Sequence, residues 1–384
     1  MTTLRRWRLR TACVSATARV VAMACVAAAA CAAVAATTAG AQSLDRRVAA
    51  APGDGVQFHF AARDGVCGNG RSWLRADDAS WYGSYNGNGN GGGDTCLAGP
   101  VRVVLTRAGR DVVRIETFAG PLAADASVSQ DLGAVGAREA ATYLLTLAAT
   151  LDGRPAREAL LPAILADSAV LTPALAVLAK DQDRARDVRR SALSWLARRR
   201  AEPGGLGAAA VEGTLDQLVR NRTESESLRQ SALSTISSLD RGEGIPALIT
   251  YAADADGWLA KQAIANLTRS GDPRARAFTR QAVRRADLDD DSRDAAIRGL
   301  GSEYASGADY KLLRELYATF TSDRQRDAAI STLATAGGTE NTQWLLGIAQ
   351  SPTEPPARRR RAISLLGRSD DPRVKDALKG LIER

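Results

Sequence analysis

Six nine-residue stretches of this chain superpose without a gap: VRRSALSWL, LRQSALSTI, LAKQAIANL, SRDAAIRGL, QRDAAISTL and RRRRAISLL. Their fifth column is always Ala: Ala192, Ala232, Ala263, Ala296, Ala329 and Ala362. The sixth is Leu or Ile (Leu193, Leu233, Ile264, Ile297, Ile330, Ile363), and the ninth is Leu or Ile again, from Leu196 to Leu366. Read from the sixth column, successive copies lie 40, 31, 33, 33 and 33 residues apart. A unit of that size holds two helices and two turns. Columns five, six and nine share one face of the second helix, with small Ala where a neighbouring helix comes close. One such hairpin cannot bury its own apolar face; a row of them can.

The partner helix of each unit is visible in IPALITYAA, YKLLRELYATF and TQWLLGIA. Turns carry Gly271-Asp272-Pro273 and Asp370-Asp371-Pro372, where Asp can cap a helix and Pro can take its first position. Helical period is already present in AREAATYLLTLAATL, which aligns Ala140, Leu144, Leu147 and Leu151 in one stripe. Spacing, the Arg-x-x-Ala-Leu/Ile signature and the Asp-Pro turns resemble bacterial HEAT repeats, including the HEAT-like repeats named after phycobilisome lyases. The resemblance covers Ala156 to Arg384. It implies a HEAT-like α-α superhelix, or solenoid, with a concave protein-binding face lined by the second helices, and it implies no single chemistry. The second-column arginine (Arg189, Arg229, Arg293, Arg326, Arg359) is replaced by Ala260 in the third copy, so any ladder of cross-repeat hydrogen bonds is expected to break there.

The N-terminus changes the charge account. Arg5, Arg6, Arg8 and Arg10 precede an Ala-rich apolar run from Val20 to Ala36, and Ala39 and Ala41 are placed as in an A-x-A cleavage site. That order is a secretory signal, and the apolar run is short for a membrane span. The Arg5-Arg6 pair hints at a twin-arginine route, but Arg8 stands where Phe or Leu is usual. A lipid anchor at Cys25 or Cys31 is an alternative, although neither has Leu three residues before it. Residues 1–41 carry five arginines and no acid, so of the net charge of +8 only +3 remains after cleavage. The case for a nucleic-acid partner falls with it. Cys13, Cys25 and Cys31 leave as well. Cys67 and Cys96 remain, and in an exported chain the pair is expected as one disulfide.

Between Val56 and Phe118 the period is two. Val56, Phe58 and Phe60 share a face, with Gln57 and His59 opposite. VRVVLTRAGRDVVRIETF reads as a hairpin in which Val101, Val103 and Leu105 alternate, the chain turns at RAGR, and Val113 and Ile115 resume the buried face. The disulfide would clamp the base of the excursion from Gly68 to Thr95. Gly87, Gly89 and Gly92 there match G-x-G-x-x-G, but a phosphate site needs those glycines between a strand and a helix, and here another strand follows. Trp73, Trp81, Tyr82 and Tyr85 on the same excursion form either a sticky surface or the loop's own small core.

Little catalytic machinery is legible. After the signal the chain has one histidine, His59, with no G-x-S-x-G and no H-E-x-x-H, which removes serine triads that do not use it and His-rich metal sites. DLDDDSRDAAIR, from Asp287, has Ser292 and Arg298 where a calcium loop needs Gly and Glu, so it reads as a helix start capped by Asp291 or Ser292. Arg358 to Arg361 read as a solvated face, with the docking of an anionic partner as the alternative. Trp195 lies in a column otherwise holding Thr235, Asn266, Gly299, Thr332 and Leu365, so it either borders the groove or fills a gap against the preceding repeat.

The expected organisation is a signal (1–41), a small disulfide-clamped β-rich domain (42–125) and the HEAT-like, armadillo-like helical domain (126–384). The expected role is a non-catalytic scaffold of the periplasm or cell envelope, binding a protein, with no cofactor, no metal, no nucleic acid and no membrane span after cleavage. Candidate partner-binding residues, projecting from second helices, are Arg190, Trp195, Arg198, Lys261, Arg298 and Arg360. The alternative is an enzyme, lyase-like or a carboxylate-based hydrolase, with its site where the β domain meets the first repeats.

Overall fold

Alternating Val and Phe in the front third give strands, and the Ala/Leu columns behind them give paired helices. The structure is a computed structural model and describes residues 42–76, 96–123, 125, 128–254, 256–368, 374, 375 and 379. The expected signal (1–41) with its three cysteines, the glycines from Gly87 to Gly92, Trp81, Tyr82, Tyr85 and the expected turn at Asp370–Pro372 lie outside the described residues.

A short helix α1 (Leu44–Ala50) leads into β1 (Gly55–Phe60), then the short strands β2 (Cys67–Gly68), β3 (Leu74–Arg75) and β4 (Leu97–Ala98), the long hairpin β5 (Val101–Ala108) and β6 (Asp111–Ala119), and β7 (Gln130–Ala134). The main sheet has the order β6-β5-β1-β7, and β3-β2-β4 form a second, smaller sheet. Cys67 and Cys96 are disulfide-bonded across that small sheet, their Cα atoms 5.2 Å apart. Val56, Phe58, Phe60, Val101, Val103 and Leu105 are buried, as their alternation requires. Gly109 closes the hairpin at φ +66°, a conformation other residues adopt at a cost.

Two expectations change here. Val113 is exposed, and Val112 is buried in its place. A register shift beside Thr106 pairs Arg107 with Val112 and leaves Val113 as the extra residue of a bulge, which moves the alternation by one position. The sheet also runs past residue 125, since β7 pairs in parallel with β1.

The helices follow: α2 (Ala137–Thr150), α3 (Gly153–Glu158), α4 (Leu160–Leu165), α5 (Thr172–Lys180), α6 (Arg186–Arg198), α7 (Ala208–Arg220), α8 (Glu226–Ser237), α9 (Ile245–Ala252) and α10 (Gly257–Thr268). After these come α11 (Pro273–Arg284), α12 (Asp290–Gly299), α13 (Gly307–Leu316), α14 (Asp323–Ala336), α15 (Thr339–Gln350) and α16 (Pro356–Leu366). The six signature stretches lie in α6, α8, α10, α12, α14 and α16, and each of these helices packs on the next. In the other layer α5 meets α7, α9 meets α11, and α11 meets α13. All six column-five alanines have no exposed surface. Every described residue of columns six and nine is buried too, except Ile363, which is half-buried. Asp272 caps α11 through the Arg274 amide, with Pro273 in the first turn. The cap of α12 is Asp289, two residues before Asp291, the nearer of the two expected caps, and it accepts from the Ser292 amide at 2.9 Å.

The sheet and the helices are joined directly. Helix α3 packs on β6 and α6, and α4 packs on α2 and β5. The Arg63 amide donates to the Leu165 carbonyl (2.9 Å), and the Asp167 amide donates to the Ala61 carbonyl (3.0 Å). No helix among the described residues is long and apolar enough to cross a membrane.

Candidate functional site

The second-column arginines face the joints between helix pairs. In four copies the guanidinium Nε donates to a carbonyl at the end of the preceding element: Arg189 to Ala179 (3.1 Å), Arg229 to Val219 (2.8 Å), Arg293 to Val283 (3.1 Å) and Arg326 to Phe320 (2.8 Å). A cation at a helix C-terminus satisfies a carbonyl left without an intrahelical donor and complements the negative pole. In the first three of these the rest of the group reaches the next pair. Arg189 forms a two-pronged pair with buried Glu224, Arg229 lies 4.0 Å over the Trp258 ring and bonds Asp256, and Arg293 lies 5.1 Å over Phe320. Ala260 has no such reach, and Lys261 beside it instead bonds Asp291 at 2.9 Å. In the last copy Arg359 Nε has no hydrogen-bond partner among the described residues, and it is Arg358 that is buried, against Glu354 (2.7 Å) and Asp323 (2.5 Å). The four-arginine run is therefore not wholly a solvated face.

These contacts consume one edge of the second helices. The next positions along them look outward, and there the candidate residues divide. Trp195 and Arg198 border a cavity of about 370 Å³, and Lys261 and Arg298 border a second of about 350 Å³. Arg190 and Arg360 are exposed and line neither cavity. Trp195 does not project as a free ring. It is 8% exposed, filling a gap for most of its surface, and the Arg198 guanidinium sits 5.2 Å from its centroid.

The larger cavity lies where the sheet meets the first helices. Its far wall is Ile115 and Thr117 of β6, and Glu158 and Leu161 close its base. Glu158 is buried with both oxygens engaged: Oε2 accepts from the Ile115 amide (3.0 Å), and Oε1 accepts from Arg154 (2.5 Å). Arg157 stands at the rim, 3.5 Å from Asp187. None of these five β6, α3 and α4 positions was a site candidate in the sequence, where Ile115 alone was read, as a buried strand residue. They lie about 80 residues from Trp195 at the farthest, and only the packing of α3 between β6 and α6 brings them together.

The smaller cavity has a mixed-charge wall. Asp294 accepts from Arg298 (3.0 Å), while Asp291 is shared by Lys261 and Arg324. These two cations, foremost the Lys261 hydrogen bond, hold the Asp291 carboxyl below its ordinary range. Among the described residues, no group of three or more His, Cys, Asp or Glu is arranged to hold a metal ion.

No family model and no curated protein matches the chain. Among solved structures it is similar to the complex of CpcE and CpcF of phycocyanin lyase from Nostoc sp. PCC7120, at 15% identity and a TM-score of 0.25, over 55% of this chain and 94% of that one. It is similar also to human deoxyhypusine hydroxylase in complex with glycerol, at 15% identity and a TM-score of 0.24, over 64% of this chain and 96% of that one. At these scores neither likeness assigns a fold or an activity.

Proposed function

We propose that this chain is an exported protein whose paired helices form a HEAT-like solenoid, and that the outward edge of α6 to α16 is the concave face that holds a protein partner. The observation that carries this reading is the placing of four candidate side chains. Trp195, Arg198, Lys261 and Arg298, chosen from repeat columns, border the two hollows on that face. Their mixed charge suits a polar protein surface. The disulfide fits an oxidising compartment, in keeping with the signal-like N-terminus.

The test is photo-crosslinking in the cell envelope. A crosslinking residue replaces Arg298 or Arg360 in one set and Val177, an exposed residue of α5, in the other. One and the same envelope protein joined at positions 298 and 360 but not at 177 supports the scaffold. Equal labelling at all three positions refutes it.

Catalysis in the larger cavity is the second reading, favoured by its position at the seam of sheet and helices. Its buried acid is already committed to Ile115 and Arg154, and no second carboxylate among the described residues lines it. A carboxylate-pair hydrolase needs two.

A further inference from the structure

Among the described residues, strand β6 is an edge strand, with nothing beyond it in the sheet order. Along an antiparallel strand the amide and carbonyl of each residue point to the same side, and the side alternates from residue to residue. The Ile115 amide points away from β5, to Glu158 Oε2 at 3.0 Å, and the Ala119 carbonyl points the same way, accepting from the Gly70 amide at 2.8 Å. Thr117 lies midway between them, paired with Val103 in the ladder, and so in the same phase. Its amide and carbonyl are turned outward, no described residue pairs with them on that side, and Thr117 lines the larger cavity. Across that cavity Arg198 is stacked on Trp195 and has no acidic partner among the described residues.

We infer that this cavity receives the free C-terminal end of an extended peptide with an apolar last residue. The peptide backbone pairs with Thr117 as a one-residue addition to the sheet edge, its last side chain lies against Leu161 and Trp195, and its terminal carboxylate is held by Arg198. A chain end, and not a through-running strand, follows from the two blocked neighbours. With the Ile115 amide taken by Glu158 and the Ala119 carbonyl by Gly70, the ladder cannot extend either way along β6. A peptide, and not a small apolar acid, follows from Thr117, whose donor and acceptor match a backbone. The inference rests on the reading of the second-helix face as a partner surface and names what one end of that partner presents.

Fluorescence anisotropy of the full chain with an N-terminally labelled Gly-Ser-Val-Leu tetrapeptide tests it. The free carboxylate is expected to bind, and its C-terminal amide to bind about tenfold or more weakly. Arg198→Ala, an exposed change, is expected to lose the same factor and to make acid and amide equivalent. Unlabelled 4-phenylbutyrate is expected to displace the peptide poorly. Equal binding of acid and amide, displacement by phenylbutyrate at matching concentration, or no binding of either peptide overturns the inference. If envelope crosslinks at position 298 persist in that event, the partner surface stands and only the tail site falls; if they vanish as well, both fall.

Discussion

Arg189 and Glu224 are 35 residues apart in sequence and form a buried, two-pronged ion pair that fastens one helix pair to the next. Removing one partner strands the other charge in the interior, which costs about 3–5 kcal/mol. Arg189→Ala and Glu224→Ala are each expected to fall in that range, and the apolar double variant R189L/E224L to recover much of the loss. Native-state hydrogen exchange of the α6 and α8 amides reads the effect locally, as a stack of repeats need not unfold in one step.

The carboxylate of Asp309 supplies the clearest acid dependence. It is fully buried, which alone would raise its pKa, but hydrogen bonds from Arg280, the Ser306 amide and Arg276 hold it at about 2 against an ordinary 3.8. A depressed folded-state pKa means stability that is complete above pH 3.8 and lost as pH falls toward 2. Asp309→Asn is expected to be less stable at pH 7 by about 3 kcal/mol. Its deficit relative to the parent should narrow across that acid window in a circular-dichroism titration. A deficit independent of pH would contradict the assignment.

Gly299 reports how closely α10 and α12 approach. A Cβ there would sit 1.9 Å from Thr268 Cγ2 and 2.6 Å from Thr268 Cβ. Helix propensity favours Ala over Gly by about 1 kcal/mol, whereas overpacking costs about 1–3 kcal/mol. Gly299→Ala is therefore expected to destabilise in urea denaturation. Adding Thr268→Ser should restore only part of the loss, because the residue-268 Cβ stays in the way.

Reduction of Cys67–Cys96 is expected to act on the front of the molecule alone. Opening a loop with a sequence separation of 29 releases about 3–4 kcal/mol of constraint on the unfolded chain in the entropy account. Exchange protection should fall in β2, β3 and β4 and hold in α8 to α16. The C67A/C96A double variant should behave as the reduced chain does.

The helical layer was readable because its signal is redundant: six alanines in one column, each fully buried, report the same helix-to-helix approach. The sheet was harder to read. Val112 and Val113 are adjacent valines, and only the bulge, a matter of pairing with Arg107, decides which one enters the core. Strand β7 reads QDLGA, with a glycine at φ +71° and little apolar alternation, and its place beside β1 is a tertiary outcome. The same holds for the site. Trp195 and Arg198 stood out from their column and helix position, whereas Glu158 looks like any helix acid until α3 presses it against the amide of Ile115.

That last hydrogen bond ties the fates of the two halves together. Cutting the chain between β7 and α2 would leave an edge amide bare and Glu158 with Arg154 but without the Ile115 donor, in addition to parting Arg63 from Leu165. Neither fragment should keep its shape unaided, so shuffling this front piece onto another repeat array would require carrying α3 and α4 along as its lid.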